Sequence, residues 1–445
     1  MKNFISSIKD IWKIEELRNK ILLTLGLMVV YRFGAHVTLP GIDATQLSGI
    51  QSKVGGGGLL GVLNMFTGGA FARVSIMALG IMPYISASIV VQLMGIAIPY
   101  LQKLRNEGES GNKKITQITR WLTIVILIFQ APTFIYSLPS LGVPESAYLL
   151  GHGPKFWFSS ILLLTTGTVF AMWLGERITE KGIGNGISLL ITIGIIARLP
   201  MAIAQEVASK LKSGNGGLMM ILIEIILWFV VIMAGIYLVT AVRKIPVKYA
   251  RRTVIGNIGD LGGARDYIPL KLNSAGVMPI IFAQALMFVP AMLRTSQNEA
   301  LASFGSKFTD MFSWQYNLLF GLLIIIFGFF YTAITINTNK MADDLKRSGG
   351  FIPGVKPGTE TAEYLDRILS RITLPGSIFL VLLAILPAFI VKLGVQPSWA
   401  MFYGGTSLII LVGVAIDTIQ QIQAYLLNSH YDSLMKTGKK RTSIS

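Results

Sequence analysis

The chain contains no cysteine, and only three of its 445 residues are histidines. Disulfide bonds, thiolate metal sites and thiol catalysis are therefore excluded, while His36, His152 and His430 are too dispersed for a metal site. Charged residues are also scarce, at 14% of the chain, whereas soluble proteins carry about 25%. These absences argue against a soluble domain and against an enzyme embedded in a membrane.

Apolar residues make up 52% of the chain, and they concentrate in ten long segments. A helix needs about 20 apolar residues to cross a bilayer, so each segment is a candidate span. The first is the weakest, because Arg32 and His36 interrupt its outer end. The ten segments are residues 21–39, 74–100, 121–138, 156–175, 183–203, 218–242, 274–293, 316–334, 372–391 and 399–427.

The positive charges alternate from one gap between spans to the next. Twenty-nine of the 39 lysine and arginine residues fall at the two ends of the chain and in every second gap. The positive-inside rule places these regions in the cytoplasm. The net charge of +17 therefore serves mainly to orient the chain, and it does not indicate a nucleic-acid-binding face. No cleavable signal sequence is recognisable near the start.

The spans divide the chain into two halves of five. An amphipathic segment at residues 1–20 is expected to lie on the cytoplasmic membrane surface. The N-terminal half is residues 21–212, the C-terminal half is residues 213–428, and residues 429–445 form a cytoplasmic tail. Because each half has an odd number of spans, the halves insert in opposite orientation, which permits a pseudo-symmetric clamshell around a central path.

The first predicted outer stretch, residues 40–73, is unusually rich in glycine and apolar residues. Gly55–Gly58 precede the apolar run Leu59–Phe66, and two further glycines follow it. This run is too short to cross a membrane and too apolar for an ordinary solvated loop. The residues alone leave two interpretations open, an interfacial turn lying on lipid and a re-entrant half-helix buried in the protein.

Two local patterns give little support to other functions. Glu224 and Asp417 are isolated acidic residues within spans, whereas an ion-coupled transporter usually needs acids near mid-membrane. The glycines of GIGNGIS, residues 182–188, lack the Gly-Lys-Ser/Thr ending of a phosphate-binding loop. We interpret them as a sharp turn into the fifth span.

Six long blocks of sequence occur in the order of one known family. They are NMFTGGAFARVSI (Asn64–Ile76), ALGIMPYISASIVVQLM (Ala78–Met94), MWLGERITEKGIGNGISL (Met172–Leu189), YIPLKLNSAGVMPIIFA (Tyr267–Ala283), GGFIPGVKPGTETAEYLDRI (Gly349–Ile368) and GGTSLIILVGVAID (Gly404–Asp417). These blocks resemble the SecY family, the large channel subunit of the general protein translocase. The resemblance implies an all-α polytopic protein, with ten transmembrane helices in two pseudo-symmetric inverted halves that form a clamshell with a central hourglass pore.

The resemblance also implies the residues that close the pore. Paired ring residues three or four positions apart share one face of a helix, and Met278 departs from the isoleucine pattern of the others. The implied ring is Ile81, Ile85, Ile187, Ile191, Met278, Ile281 and Ile410. The implied plug, which covers the ring at rest, spans about residues 59–71 and includes Leu63, Asn64, Met65 and Phe66, which favours the re-entrant interpretation. The implied polar residues of a lateral gate into lipid are Ser86, Gln130 and Asn273.

Two long loops, residues 243–273 and 340–371, resemble the docking sites of the family for the ribosome and the motor ATPase SecA. A dense basic cluster suits ribosomal RNA phosphates or an acidic motor surface. Lys356 stands where the family pattern has an arginine. Lysine retains the positive charge but lacks the planar guanidinium that makes bidentate contacts. The implied docking residues are Arg243, Lys244, Lys248, Arg251, Arg252 and Lys356.

The function implied by the resemblance is a passive protein-conducting channel in the bacterial plasma (inner) membrane, with no cofactor and no enzymatic activity. It would pass unfolded secretory polypeptides, respond to their signal sequences, and release hydrophobic segments into membrane lipids. The small membrane subunits SecE and SecG would complete the complex. The alternative is a secondary solute transporter, which ten spans and inverted halves would also suit.

Overall fold

The fold is mostly helical and divides into two compact units. The first unit comprises Met1–Ser209, Gln396–Trp399 and Val414–Ser445, and the second comprises Lys210–Val395 and Ala400–Gly413. The structure, a computed structural model, describes residues 11–47, 49–50, 59–149, 151, 153–212, 217–249, 266–273, 276–287, 303, 305, 307–308 and 310–441.

Among the described residues, the first unit contains seven helices that begin before residue 210. Helix α1 packs against α6, and α5 packs against α3, α4 and α6. Their bounds are α1 (Glu15–Gly34), α2 (Leu59–Phe66), α3 (Met82–Ala97), α4 (Pro99–Asn106), α5 (Glu109–Leu141), α6 (Pro154–Lys181) and α7 (Gly186–Lys212).

The core of the first unit includes connecting segments as well as helices. Leu127, Leu138 and Leu164 from α5 and α6 are fully buried, and Leu39 and Ile50 from the segment after α1 join the same cluster. Burying apolar side chains of a connecting segment contributes about 25 cal/mol for each Å² removed from solvent. Leu39 and Ile50 are therefore packed against the helices that surround them.

The second unit contains further long helices and a small sheet. Helix α10 packs against both α9 and α12, and α8 also contacts α12. The remaining helices are α8 (Gly217–Thr240), α9 (Met278–Leu286), α10 (Trp314–Thr335), α11 (Thr338–Arg347), α12 (Thr359–Lys392), α13 (Pro397–Ala400) and α14 (Gly405–Arg441). Most of α13, and α14 from Val414 onward, belong to the first unit.

The sheet corrects the expectation of an all-α chain. Strand β1 (Val242–Tyr249) lies between β2 (Asp266–Lys271) and β3 (Gly350–Phe351), and both neighbours are antiparallel to it. Burial alternates along the middle of β1, so Ile245 and Val247 face a core while their neighbours are exposed. Short strands of five to eight residues escape a search for long apolar runs, and for this reason the sequence prediction missed the sheet.

Among the described residues, seven helices are long and apolar enough to cross a membrane, or eight if one bent pair counts as a span. Seven predicted spans are therefore confirmed as helices. The second predicted span is the bent pair α3 and α4, because the chain is extended at Ile98 before Pro99. The first, α1, is helical but carries charged residues near both ends. The seventh is described only to residue 287.

Candidate functional site

The predicted plug residues lie on α2, a helix of only eight residues. At 1.5 Å per residue, such a helix is about 12 Å long and cannot cross a bilayer. Asn64, Met65 and Phe66 are buried and Leu63 is partly buried within the first unit. The apolar run is therefore a short buried helix, as the re-entrant interpretation requires.

A tight turn follows the plug helix. Gly68 and Gly69 have φ angles of 64° and 90°, a left-handed conformation that glycine adopts without steric cost. The Gly69 N–H donates to the Asn64 carbonyl oxygen at 2.8 Å, and the Ala72 N–H donates to Asn64 Oδ1 at 3.0 Å. The glycines on this side of the plug thus form a hydrogen-bonded turn, and those at 55–58 lie outside the described residues.

Two other helices, α1 and α7, contact this turn. Arg32 of α1 donates a hydrogen bond from Nη1 to the Gly68 carbonyl oxygen at 3.0 Å. On α7, a Cβ added to Gly194 would lie 2.6 Å from the Phe66 carbonyl oxygen and 3.1 Å from the Gly68 nitrogen. The end of the plug therefore contacts the α7 backbone directly, at a position where only glycine leaves room.

Three guanidinium groups gather around the same turn. Arg32, Arg73 and Arg198 are each partly buried. They are close enough for Arg73 to repel both of the others, and for Arg32 to repel Arg198. A Cβ added to Gly69 would lie 3.3 Å from Arg198 Nη1 and 3.8 Å from Arg73 Cζ. Among the described residues, no carboxylate offsets this concentration of positive charge.

The seven predicted ring residues lie on helices of both units, or directly beside one. In the first unit, the Ile85 N–H donates to the Ile81 carbonyl oxygen at 3.1 Å, so these two residues are one helical turn apart. Ile187 and Ile191 are likewise four positions apart on α7. Ile81, Ile85 and Ile191 are buried and Ile187 is partly buried.

In the second unit, Met278 and Ile281 lie on α9 and are partly buried, whereas Ile410 on α14 is 2% exposed. The spacing of three positions puts Met278 and Ile281 on one face of α9. Their role in closing a pore stays a prediction.

The predicted gate residues differ in environment. Ser86 on α3 is partly buried, and Gln130 on α5 is exposed in the isolated chain. Asn273, which belongs to the second unit, is 8% exposed and follows β2. Ser86 and Gln130 thus lie on the packed helix pair α3 and α5, while the pairing of these polar residues across a gate stays a prediction.

The described parts of the two predicted docking loops fold together as one module in the second unit. This sheet module consists of β1, β2, α11, β3 and the first turns of α12. Its core contains Ile245 and Val247 from β1 together with residues of the later loop. The other core members are Leu270, Leu345, Ile352, Leu365 and Ile372. Two loops about 100 residues apart are therefore one folded surface, which the sequence prediction did not anticipate.

The basic residues of the sheet module are on its exposed side. Arg243, Lys244 and Lys248 are exposed on β1. Lys356 is exposed as well, and its Nζ lies 3.4 Å from Glu360 Oε1. Arg251 and Arg252 lie outside the described residues. An ion pair this exposed contributes little to stability, so Lys356 stays accessible to a partner.

The glycine-rich loop at 182–188 is a packing turn. The Ile183 N–H donates to Thr24 Oγ1 at 3.1 Å, and the Gly186 N–H donates to Thr179 Oγ1 at 2.8 Å. A Cβ at Gly186 would collide with the Gly175 carbonyl oxygen, so the glycine permits close contact between α6 and α7. These amide groups are used within the protein, which agrees with the sharp turn expected from the sequence.

The acidic residue singled out in the sixth span has a structural partner. Glu224 Oε1 lies 3.3 Å from Lys210 Nζ, and both side chains are mostly buried. Asp417 is exposed on α14. Among the described residues, no group of three or more potential metal-ligating side chains is found.

The sequence prediction missed Arg32 and Gly194 as contacts of the plug. Arg32 was treated only as an interruption of the first span, although a charge inside an apolar segment usually has a specific partner. Gly194 carries no such signal, because glycine is common in membrane helices. Only the folded chain shows that Gly194 lies against the plug.

Comparison with known proteins identifies the family. The SecY family model matches residues 75–419 of this chain. The protein translocase subunit SecY of Haemophilus influenzae is 40% identical over 438 residues, which cover 95% of this chain and 94% of that protein. The subunit of the same name from Streptomyces lividans is 38% identical over 444 residues, which cover 97% and 100%.

Solved structures share the fold. A protein-conducting channel has a TM-score of 0.60 with this chain at 18% identity, covering 91% of each. A SecY structure that concerns the plug domain, its stabilisation of the closed state and the membrane seal has a TM-score of 0.62 at 18% identity and the same coverage. The sequence relatives confirm the resemblance found in the six blocks. This chain therefore belongs to the SecY family of protein translocase subunits.

Proposed function

We propose that this chain is the channel-forming subunit of a protein translocase. It passes unfolded secretory polypeptides across the bacterial inner membrane and releases hydrophobic segments sideways into lipid. Family membership over nearly the whole chain supports this function. The fold relatives include protein-conducting channels, among them Sec61 in a canine ribosome–channel complex, which has a TM-score of 0.57 at 18% identity.

The observation that carries the proposal is the plug helix α2. A resting channel must be sealed against ions, and a helix of eight residues that is too short to span and lies partly buried beside membrane-crossing helices can supply that seal. The buried acid Glu224 is paired with Lys210, so it is not a free site for a coupling ion.

The ring residues supply the second part of the mechanism. We assign Ile81, Ile85, Ile187 and Ile191 of the first unit and Met278, Ile281 and Ile410 of the second to an aliphatic constriction. A narrow apolar constriction resists wetting and blocks ions without a charged gate. Aliphatic side chains contact a passing polypeptide without recognising its sequence, so the constriction suits any unfolded polypeptide as substrate.

Polar residues and lipid-facing helices supply the lateral exit. We assign Ser86, Gln130 and Asn273 to its seam. Neutral polar pairs between membrane helices contribute about 0.6 kcal/mol each, which is weak enough for a hydrophobic signal segment to separate them.

The sheet module is the proposed docking surface for the energy source. Its exposed basic residues Arg243, Lys244 and Lys248 suit ribosomal RNA or an acidic surface of the SecA motor. SecE and SecG are the proposed small membrane partners. Docking on the cytoplasmic side requires both termini to be cytoplasmic, as the distribution of positive charge predicts.

The test uses the absence of native cysteine. Single cysteines are introduced at Ile81, Ile191 and Ile410 in full-length chain assembled with its partners. A secretory polypeptide carrying one cysteine is stalled during passage, and crosslinks are scored. We expect crosslinks at all three positions, and we expect them only when the polypeptide carries a signal sequence.

Two matched positions control for nonspecific crosslinking. Val90 on α3 and Ile196 on α7 belong to the same helices as ring residues but are 39% and 47% exposed. Cysteines there should face lipid and fail to crosslink. Equal crosslinking at Val90 and Ile196, or no crosslinks at the ring positions, would contradict the proposed pore.

A further inference from the structure

We propose that Gly68 is held in a clamp between Arg32 on α1 and Gly194 on α7, and that this clamp determines how readily the plug leaves its resting place. We call these three residues the plug clamp. The proposal rests on the proposed function, since it assigns a positioning role within the same channel. Neither the plug sequence nor the ring by itself indicates it.

The first contact of the plug clamp is electrostatic. The Arg32 guanidinium donates to the Gly68 carbonyl oxygen at 3.0 Å in a partly buried setting. A hydrogen bond from a charged donor is stronger than one between neutral groups, and partial burial reduces competition from water. Gly68 lies in the turn directly after the plug helix, so this bond ties the moving segment to a helix 36 residues earlier in the chain.

The second contact is steric. A Cβ added to Gly68 would collide with Arg32 Nη1 and would lie 2.9 Å from the Gly194 Cα. Gly68 therefore lies against both a side chain of α1 and the backbone of α7, with no space for a larger residue. Gly194 follows Ile191 by three positions, so the face of α7 that carries a predicted ring residue also seats the plug.

The chain beyond the plug clamp is fixed, so motion at this end must begin at the clamp. Val74 is fully buried and adopts a φ of 46°, which is strained for a β-branched residue. The Leu39 N–H donates to the Val74 carbonyl oxygen at 2.9 Å, and the Ile76 N–H donates to the Val37 carbonyl oxygen at 2.9 Å. These bonds anchor the following segment to the end of α1.

Like charges make the plug clamp releasable. Arg73 repels Arg32, and no described carboxylate lies between them. Arg73 Nη1 is buried without a hydrogen-bond partner among the described residues. The plug clamp thus holds Gly68 through one directional hydrogen bond from Arg32, while repulsion from Arg73 destabilises Arg32 in that position. A shift of α7 relative to α1 removes the steric contact and weakens the hold on the plug.

The test measures resting ion leak through the assembled complex in planar bilayers, without a secretory client. Arg32→Gln removes the charged donor, and we expect the leak to rise roughly tenfold, the change that corresponds to losing one charge-assisted hydrogen bond. Arg32→Lys retains a charged donor and should leak less than Arg32→Gln. Gly194→Ala forces the plug away from α7 and should also raise the leak.

Gly26→Ala is the matched control, because it lies on α1 with Arg32 and an added Cβ there meets no atom within 4 Å. It should leave the leak unchanged. Arg32→Gln combined with Gly194→Ala should leak less than the product of the two separate effects, because both changes loosen one contact. General damage to the fold would instead act independently and multiply.

Two outcomes overturn the plug clamp: an unchanged leak in Arg32→Gln, or an equal rise in Gly26→Ala. Export of an ordinary secretory protein by the unmodified complex tests the proposed function separately. If export and ring crosslinks are normal while Arg32→Gln does not leak, the clamp is wrong and the channel assignment remains. If the unmodified complex neither exports nor crosslinks, the proposed function itself fails.

Discussion

The turn at the end of the plug and the sheet module use positive charge in opposite ways. Around the turn, Arg32 and Arg198 are partly buried, and Arg32 reaches a single backbone carbonyl. On the sheet module, Arg243, Lys244 and Lys248 stand exposed above an apolar core. At the turn, the effect of a charge depends on its distance and direction to one partner. On the sheet module, the effect depends on the total of the exposed positive charges.

The physical reason for this difference is solvent. Exposed charges separated by more than about 8–10 Å are screened by physiological salt, so each contributes modestly and roughly independently. A partly buried guanidinium is screened less and depends on one partner at one distance. Single substitutions should therefore have large effects where charge is buried, whereas exposed charges should act in small, additive steps.

The largest expected effect comes from destroying the core beneath the exposed charges. Val247→Asp puts a carboxylate at a position that is 1% exposed, and an unpaired buried charge costs about 3–5 kcal/mol. The sheet module should unfold locally, and ribosome and motor docking should fail together. Co-sedimentation with ribosomes, stimulation of the motor ATPase and trypsin sensitivity of the module measure this result.

Val242→Asp is the control for that prediction, because it adds the same charge to the same strand at a position that is 40% exposed. It should weaken docking through charge alone and leave the sheet module resistant to trypsin. If Val247→Asp loses ribosome docking but keeps motor docking, the two loops do not act as one surface.

A smaller effect is expected from the plug turn. Asn64→Leu removes the side-chain oxygen that accepts the Ala72 N–H, and an unsatisfied buried donor costs about 1–3 kcal/mol. The closed plug should be less stable, so resting ion conductance should rise. Gln92→Leu, which breaks only a bond to the Ser88 hydroxyl on its own helix, should leave conductance near the unmodified level. Equal conductance in both variants would argue against the turn as a determinant of closure.

The smallest effect for each residue is expected at the exposed basic positions of β1. Arg243→Gln, Lys244→Gln and Lys248→Gln should each weaken ribosome binding slightly. If these residues contact RNA phosphates, each change lowers the slope of log affinity against log salt by about 0.7–0.9. Lys155→Gln, an exposed lysine on the predicted outer side, should change neither quantity. A slope that is the same in all variants would place the RNA contact elsewhere.

Much of the helical architecture could be predicted, because membrane crossing imposes a local requirement on composition. The segments at 121–138 and 372–391 became parts of helices α5 and α12, which are long and apolar enough to span. Helix α12 begins 13 residues before its predicted span, since its first turns pack in the sheet module. The sequence does not predict where α12 begins, because its first apolar residues are buried in the sheet module and not in the membrane.

The sheet and the plug contacts could not be predicted, because their partners are distant in sequence. Strand β1 pairs with β3 about 100 residues later, and Phe351 is one of only two residues in that strand. The bond between Arg32 and Gly68 depends on how α1 and the turn are packed. The residue periodicity of these segments does not predict which distant residues they contact.

The sequence by itself determined the membrane class, most of the approximate spans and the family, and it predicts which loops are cytoplasmic. Each of these depends on composition within one segment or on a block of neighbouring residues. Tertiary structure alone decided that two basic loops share one core, that a short apolar run is buried, and that Arg32 and Gly194 meet Gly68. These contacts depend on which distant surfaces pack together and exclude water, and that packing exists only after the chain has folded.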